Sequence, residues 1–319
     1  MASNLLRSLP QLHVAMTRLS SRQLTLLVLL TLCWGLNWPV MKSGIADFPP
    51  LTFRALSLWL GLPVLALGLV WLKVPFRLPS GPGARHWRTL GLLATTNMFV
   101  WHACMIIALG MLSSGRAAIL GYTMPIFSAL IGAVLFGNVV NRRGWLGVGA
   151  AALGVLLLLW HEVTTLSGNP LGVGLALVAA ATWALGTQQL RHTTLPVATL
   201  TLSFWMTALT AVVMTVLALT LENADLRQLP VATQGAVAYN AVLIFGFAHA
   251  TWFYLARSLP PVASTLSVML IPVLGVFSGA WWLNEVLHWQ DWAAVALMVV
   301  SIASVLWPSR AAERQCTWL

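Results

Sequence analysis

Residues 117–137 read AAILGYTMPIFSALIGAVLFG, and residues 262–283 read VASTLSVMLIPVLGVFSGAWWL. Both runs are uncharged and long enough to cross a hydrocarbon layer about 30 Å thick as a helix. Each carries one proline near its middle, Pro125 and Pro272. Laying one proline on the other sets an offset of 147 residues (272 − 125), and without a gap the same offset superposes His102 on His249, Asn138 on Glu285 and Trp145 on Trp292. Farther upstream, a two-residue gap brings Cys33-Trp34-Gly35 onto Thr182-Trp183-Ala184 and Lys42 onto Arg191. One register that aligns so many uncommon residues marks an internal duplication.

Outward from this pair, apolar runs recur along the whole chain of 319 residues, which is 59% hydrophobic and only 8% charged. Soluble domains are about one quarter charged, so water is not the main solvent of this chain. The runs predict spans at Leu24–Met41, Leu51–Leu72, Thr89–Leu109, Ala117–Gly137 and Trp145–Trp160. A second set follows at Leu171–Leu190, Val197–Leu219, Ala236–Leu255, Val262–Leu283 and Trp292–Trp307. The expected fold is an all-α membrane protein of ten transmembrane helices, with repeats at 24–160 and 161–307 and tails at 1–23 and 308–319. Five spans per repeat is an odd number, so the second copy enters the membrane inverted relative to the first. Inverted repeats of transporters meet around a site near the bilayer midplane.

The charge distribution sets the expected orientation. Thirteen basic residues fall in the N-terminal tail, the loops after every second span and the C-terminal tail: Arg7, Arg18, Arg22, Lys73, Arg77, Arg85, Arg88, Arg142, Arg143, Arg191, Arg257, Arg310 and Arg314. Only Lys42, Arg54, Arg116 and Arg227 lie on the opposite side. This asymmetry predicts that both termini are cytoplasmic. The net charge of +10 is thereby a topology signal, and no nucleic-acid partner is expected. The first 23 residues share the basic, acid-free composition of an organellar transit peptide, but a cytoplasmic tail or a start at Met16 is the plainer reading. Cys33 and Cys104 lie in spans and Cys316 in the tail, so neither a disulfide framework, a metal site nor a cofactor is expected.

Several motifs in this order resemble the drug/metabolite transporter superfamily, and within it the EamA-like transporters. They are Cys33-Trp34-Gly35-Leu36-Asn37-Trp38, Phe53-Arg54, Ser113-Ser114-Gly115-Arg116-Ala117-Ala118, Tyr122-Thr123-Met124-Pro125, Ile271-Pro272-Val273 and Trp282-Leu283-Asn284-Glu285. The resemblance covers nearly all of the chain after residue 23. It implies the inverted-repeat fold and the outward movement of small organic metabolites, often amino acids or their derivatives. One departure is Gly137-Asn138, where the family usually ends its fourth span with Gly-Glu.

Within this scheme the chemistry-bearing residues are few. Pro125 and Pro272 each remove an amide donor and free the carbonyl four residues earlier, at Gly121 and Val268. An ordinary kink and a carbonyl offered to a watery cavity are the two readings, and the paired placement favours the cavity. His102 and His249 are the ionisable groups deep in spans, cysteines and tyrosines aside, and a histidine can bind a carboxylate or exchange a proton. The plainer role is a neutral imidazole bonded to another helix.

Trp34, Asn37 and Trp38 share a helical face. With Trp101, Tyr122, Trp183, Gln188, Trp205 and Trp252 they form the expected aromatic wall and polar anchors of a small-molecule pocket. Trp71, Trp87, Trp145, Trp160, Trp289, Trp292 and Trp307 stand at span ends and read as an interfacial belt. Lys42, Arg54 and Arg116 stand at the outer ends of spans; snorkelling to the head groups is their first reading, an anion-attracting outer vestibule the second.

A membrane enzyme or a receptor-like protein is the competing class. No Asp or Glu lies in the middle of a span, and Gly275-Val276-Phe277-Ser278-Gly279 lacks the spacing of a nucleophile elbow. The expectation is therefore a transporter of amphipathic metabolites in a bacterial inner membrane, with the lipid bilayer and a small molecule as partners. A monomer is compatible with this scheme.

Overall fold

The computed structural model describes residues 20–78, 83–137, 142–164, 169–193, 195–258 and 271–306. Among these residues all regular structure is helical. The helices are α1 (Ser21–Gly44), α2 (Pro50–Trp71), α3 (Gly83–Ala94), α4 (Val100–Met111), α5 (Ser114–Gly121), α6 (Met124–Phe136) and α7 (Arg142–Thr164). The second half contributes α8 (Pro170–His192), α9 (Thr199–Leu221), α10 (Val231–Tyr239), α11 (His249–Ser258), α12 (Ile271–Leu283) and α13 (Trp289–Leu306). Among the described residues, seven helical stretches are long and apolar enough to cross a membrane, with Trp145–Leu158 and Ile271–Leu283 as shorter apolar helices. The helices run up to six residues past the expected span ends, as where the third span, expected from Thr89, starts at Gly83. A helix satisfies its own backbone whatever the polarity of its side chains, so it continues beyond the apolar stretch.

Local signals explain the ends. Ser20 and Gln23 form a reciprocal cap at the start of α1, with bonds of 3.2 and 3.0 Å. Proline opens α2 and α8 at their first turns, where its missing amide costs nothing. Gly137 ends α6 at φ 67°, a left-handed conformation that glycine adopts without strain.

Proline has its larger effect in the fourth span, where the chain breaks between α5 and α6 at Tyr122–Thr123 and Pro125 sits in the first turn of α6. The expected interior kink is thus a discontinuity that leaves Pro125 in the one helical position proline favours. Pro272 is buried in the first turn of α12; its partner carbonyl at Val268, like Asn138, Trp307 and most of the two tails, lies outside the described residues.

The two halves are interleaved rather than side by side. α1 packs on α12, α2 on α9, and α4 and α6 on α8, while α7 and α13 pair with each other. Close approach is possible because small residues stand at the contacts: a Cβ on Gly35 would lie 2.6 Å from Cβ of Leu274, and one on Gly154 3.6 Å from Cα of Ala294. Two acids of the second half cap helices of the first. The Glu222 carboxylate accepts from the amides of Leu51 (2.8 Å) and Thr52 (2.7 Å) and from the Thr52 hydroxyl. Glu285 accepts from the amides of Ser114 (2.6 Å) and Gly115 (3.2 Å) and from the Ser114 hydroxyl. Charge and helix dipole both favour a carboxylate there. Trp71, Trp87, Trp145, Trp160, Trp289 and Trp292 are exposed, as a belt requires.

Candidate functional site

Two short π-helical segments shape the centre of the molecule. Thr95–Phe99 separates α3 from α4, and Asn240–Ala248 separates α10 from α11. With the 147-residue offset the first maps onto residues 242–246, inside the second. Each π turn inserts an extra residue, so the amides of Val100 and His249 reach carbonyls five residues back, at Thr95 and Ile244. The helix face that follows is rotated by the insertion, and it is this face that carries His102 and His249.

The two imidazoles come together from the two repeats, with ring centroids 5.1 Å apart, and both are buried. His249 donates from Nδ1 to the Ile244 carbonyl at 2.9 Å. Since a carbonyl only accepts, Nδ1 carries the hydrogen, and Nε2 is left without a protein partner, as is Nε2 of His102. Phe245 stacks on His249 at 5.1 Å and meets His102 edge-on at 5.0 Å.

The tryptophans close around this pair. Trp34 lies 6.2 Å from its repeat mate Trp183 and 5.7 Å from both His249 and Trp252, and Trp101 lies 5.0 Å from Trp183. These are edge-to-face and tilted contacts typical of aromatic clusters. Trp34, Trp101 and Trp183, together with Asn37, Trp38 and Tyr122, bound a cavity of about 40 Å³, whereas Trp252 packs on Trp34 without lining it. Of the groups that line it, the indole nitrogen of Trp183 and Oδ1 of Asn37 have no partner although they are buried. The cavity is thus an aromatic cage with unspent hydrogen-bonding capacity.

Other expected site residues lie elsewhere. Trp205 donates to the Phe76 carbonyl at 2.9 Å and packs on Trp87, away from the cavity. Gln188 ties α8 to α6 through Ser128, at 2.8 Å to its hydroxyl. Pro125 and Pro272 do not line the cavity; the break before Pro125 instead presents Tyr122 and Met124 to it.

The three cations expected at the outer ends of spans are each engaged or buried. Lys42 donates to the carbonyls of Leu109 (2.7 Å) and Leu112 (2.8 Å), closing the open end of α4. Arg116 pairs with Asp291 at 2.9 Å. Arg54 does not snorkel: it is 2% exposed and lines the central cavity. Neighbouring helices cover it, a fact of packing that its place near a span end conceals.

Comparison with known proteins agrees with this architecture. The model of the EamA-like transporter family matches residues 22–160 and again 170–307. The chain is 24% identical over 264 residues to the uncharacterized transporter YoaV of Bacillus subtilis (strain 168), covering 81% of this chain and 88% of YoaV. It is 28% identical over 282 residues to the uncharacterized inner membrane transporter YedA of Escherichia coli (strain K12), covering 86% and 88%. A probable amino-acid metabolite efflux pump of the same organism is 25% identical over 293 residues, covering 89% and 94%. A protein of known crystal structure superposes with a TM-score of 0.67 over 92% of this chain and 99% of its own, at 19% identity, which speaks to the fold alone. Two family matches in tandem, each over one copy of the duplication, establish that this membrane protein belongs to the EamA-like transporter family of the drug/metabolite transporter superfamily.

Proposed function

We propose that this protein moves small amphipathic metabolites, amino acids or their derivatives, outward across a bacterial inner membrane by alternating access. The two inverted five-span repeats, ten spans in all with both termini cytoplasmic, rock about the His102–His249 pair. The observation that carries this reading is the convergence of repeat-equivalent histidines and tryptophans on one cavity, each histidine preceded by a π-helical turn. Sites at the interface of inverted repeats, on helices with irregular backbone, are the transporter arrangement.

The small volume bears on mechanism. Pockets for organic ligands measure about 300–1,000 Å³, so the cage must widen to admit a metabolite, and widening is what separation of the two halves does. Aromatic walls with few charges suit an amphipathic cargo better than a highly charged sugar nucleotide. The relatives named an inner membrane transporter and a probable amino-acid metabolite efflux pump support both the location and the cargo class.

The test is counterflow in proteoliposomes containing the purified chain, with a panel of radiolabelled amino acids. Saturable exchange of at least one compound is expected, and Trp34→Ala with Trp183→Ala should abolish it. Flux that rises linearly with concentration, or that is indifferent to the double substitution, refutes the proposal.

A further inference from the structure

Arg54 sits one turn into α2 and is covered on every side. Its guanidinium stays protonated in proteins, so the charge is permanent. A buried cation ordinarily holds a carboxylate, yet the groups around Arg54 are neutral. One terminal nitrogen donates to Oδ1 of Asn240 at 3.1 Å, the other meets the Met41 sulfur at 2.7 Å, and Nε has no partner. The rings of Phe53 and Phe245 lie 5.7 Å from its central carbon, a modest attraction that does not replace an anion.

The carboxylates whose side chains are described are committed elsewhere or exposed. Glu222 and Glu285 cap helices, Asp291 holds Arg116, Asp225 accepts from the Arg227 amide, and Asp47 is exposed. The duplication sharpens the point. The histidines are matched between the copies, whereas the position matching Arg54 falls on Thr201 at an offset of 147 or on Ser203 at 149, both uncharged. A cation present in one copy only makes the cavity polar along one direction.

We propose that the missing counter-ion is the cargo's own carboxylate, held by the Arg54 guanidinium, with the hydrocarbon part of the cargo against Trp34 and Trp183. This rests on the cavity being the transport site and assigns its ligand class as monocarboxylates. Two free donors, Nε of Arg54 and the indole N–H of Trp183, belong to residues that line the same cavity, one for each oxygen of a carboxylate.

The experiment is calorimetric titration of the purified full-length chain in detergent with L-leucine, with 4-methylpentanoate, which keeps the carboxylate and lacks the amine, and with L-leucinamide, which keeps the amine and lacks the carboxylate. Both acids should bind, and the amide at least about thirtyfold more weakly, the size of effect seen when one partner of a buried charge pair is removed. R54Q should erase that preference. N240D supplies an internal carboxylate while retaining the arginine, so it should lose acid binding while eluting as a single species that melts no lower than wild type.

Amide binding equal to leucine, absence of binding by either acid, or an acid preference that survives in R54Q or N240D overturns the proposal. Counterflow separates this inference from the transport reading. Acid-selective binding without flux would refute transport and leave the anion subsite standing, whereas flux indifferent to R54Q would refute the subsite and leave transport standing.

Discussion

Replacing Glu222 and Glu285 with glutamine should loosen the molecule on the face that the charge distribution assigns to the outside. Each carboxylate belongs to the second half and receives two amides and a hydroxyl from the first turn of a first-half helix, α2 or α5. A hydrogen bond to a charged group contributes about 1.5–3 kcal/mol net, and the helix dipole adds about 0.3–1 kcal/mol. Glutamine keeps the length and one acceptor oxygen while losing the charge and the second acceptor, so about 1.5 kcal/mol is lost per site, or roughly tenfold in the closed-to-open equilibrium. The two acids cap different helices and share no partner, so the effects should add to about 3 kcal/mol, roughly a hundredfold.

The assay is labelling of Met41→Cys, which lines the cavity, in a background of Cys33→Ser, Cys104→Ser and Cys316→Ser. A membrane-impermeant maleimide applied to the outer face of spheroplasts should react about ten times faster in either single variant and about a hundred times faster in the double one. Asp47→Asn, at an exposed acid between α1 and α2, should leave the rate unchanged. A double variant labelled at the parental rate would show that these caps do not hold the halves together.

Other predictions concern packing, pairing and protons. Gly275→Ala places a Cβ 2.6 Å from that of Ala118 and 3.0 Å from the Trp38 ring, and should cost about 1–3 kcal/mol by overpacking. Gly91→Ala, with nothing within 4 Å of the new Cβ, should leave the melting temperature in detergent unchanged or slightly raised. Asp291→Asn leaves Arg116 facing a neutral partner at a site where both side chains are largely covered. It should destabilise by about 2–3 kcal/mol, below the range for a fully buried pair, and 0.5 M salt should not reproduce the loss. If a proton gradient drives flux, the free Nε2 atoms of His102 and His249 are where the proton sits, so the double glutamine variant should lose gradient dependence while keeping exchange. Full dependence in that variant would exclude the histidines.

Much of this molecule is legible in its amino-acid sequence. Apolar runs of twenty residues become helices because hydrocarbon offers no partner for a free amide or carbonyl. The alignment that pairs His102 with His249, and across its two-residue gap Trp34 with Trp183, also anticipates their meeting, because equivalent positions of two duplicated copies come together where the copies pack. The fate of individual polar groups is a different matter. Arg54 and Arg116 both open a helix at the same end of the molecule, yet one is sealed at the cavity and the other meets Asp291. Trp205 has the look of Trp183 in the chain but donates to a loop carbonyl.

What the amino-acid order alone determined was the membrane, the helices, the duplication and the residues that it pairs, since all of these follow from hydrophobic periodicity and local backbone chemistry. Only the tertiary structure decided that Pro125 stands after a break, that π turns precede both histidines, that Glu222 and Glu285 cap helices about 170 residues away, and that Arg54 has no counter-ion among the described residues. The physical reason is common to all four. Hydrogen-bond register inside a helix, the cover over its ends and the partner of a charge are set by which neighbour packs against them, and that neighbour belongs to the other half of the chain.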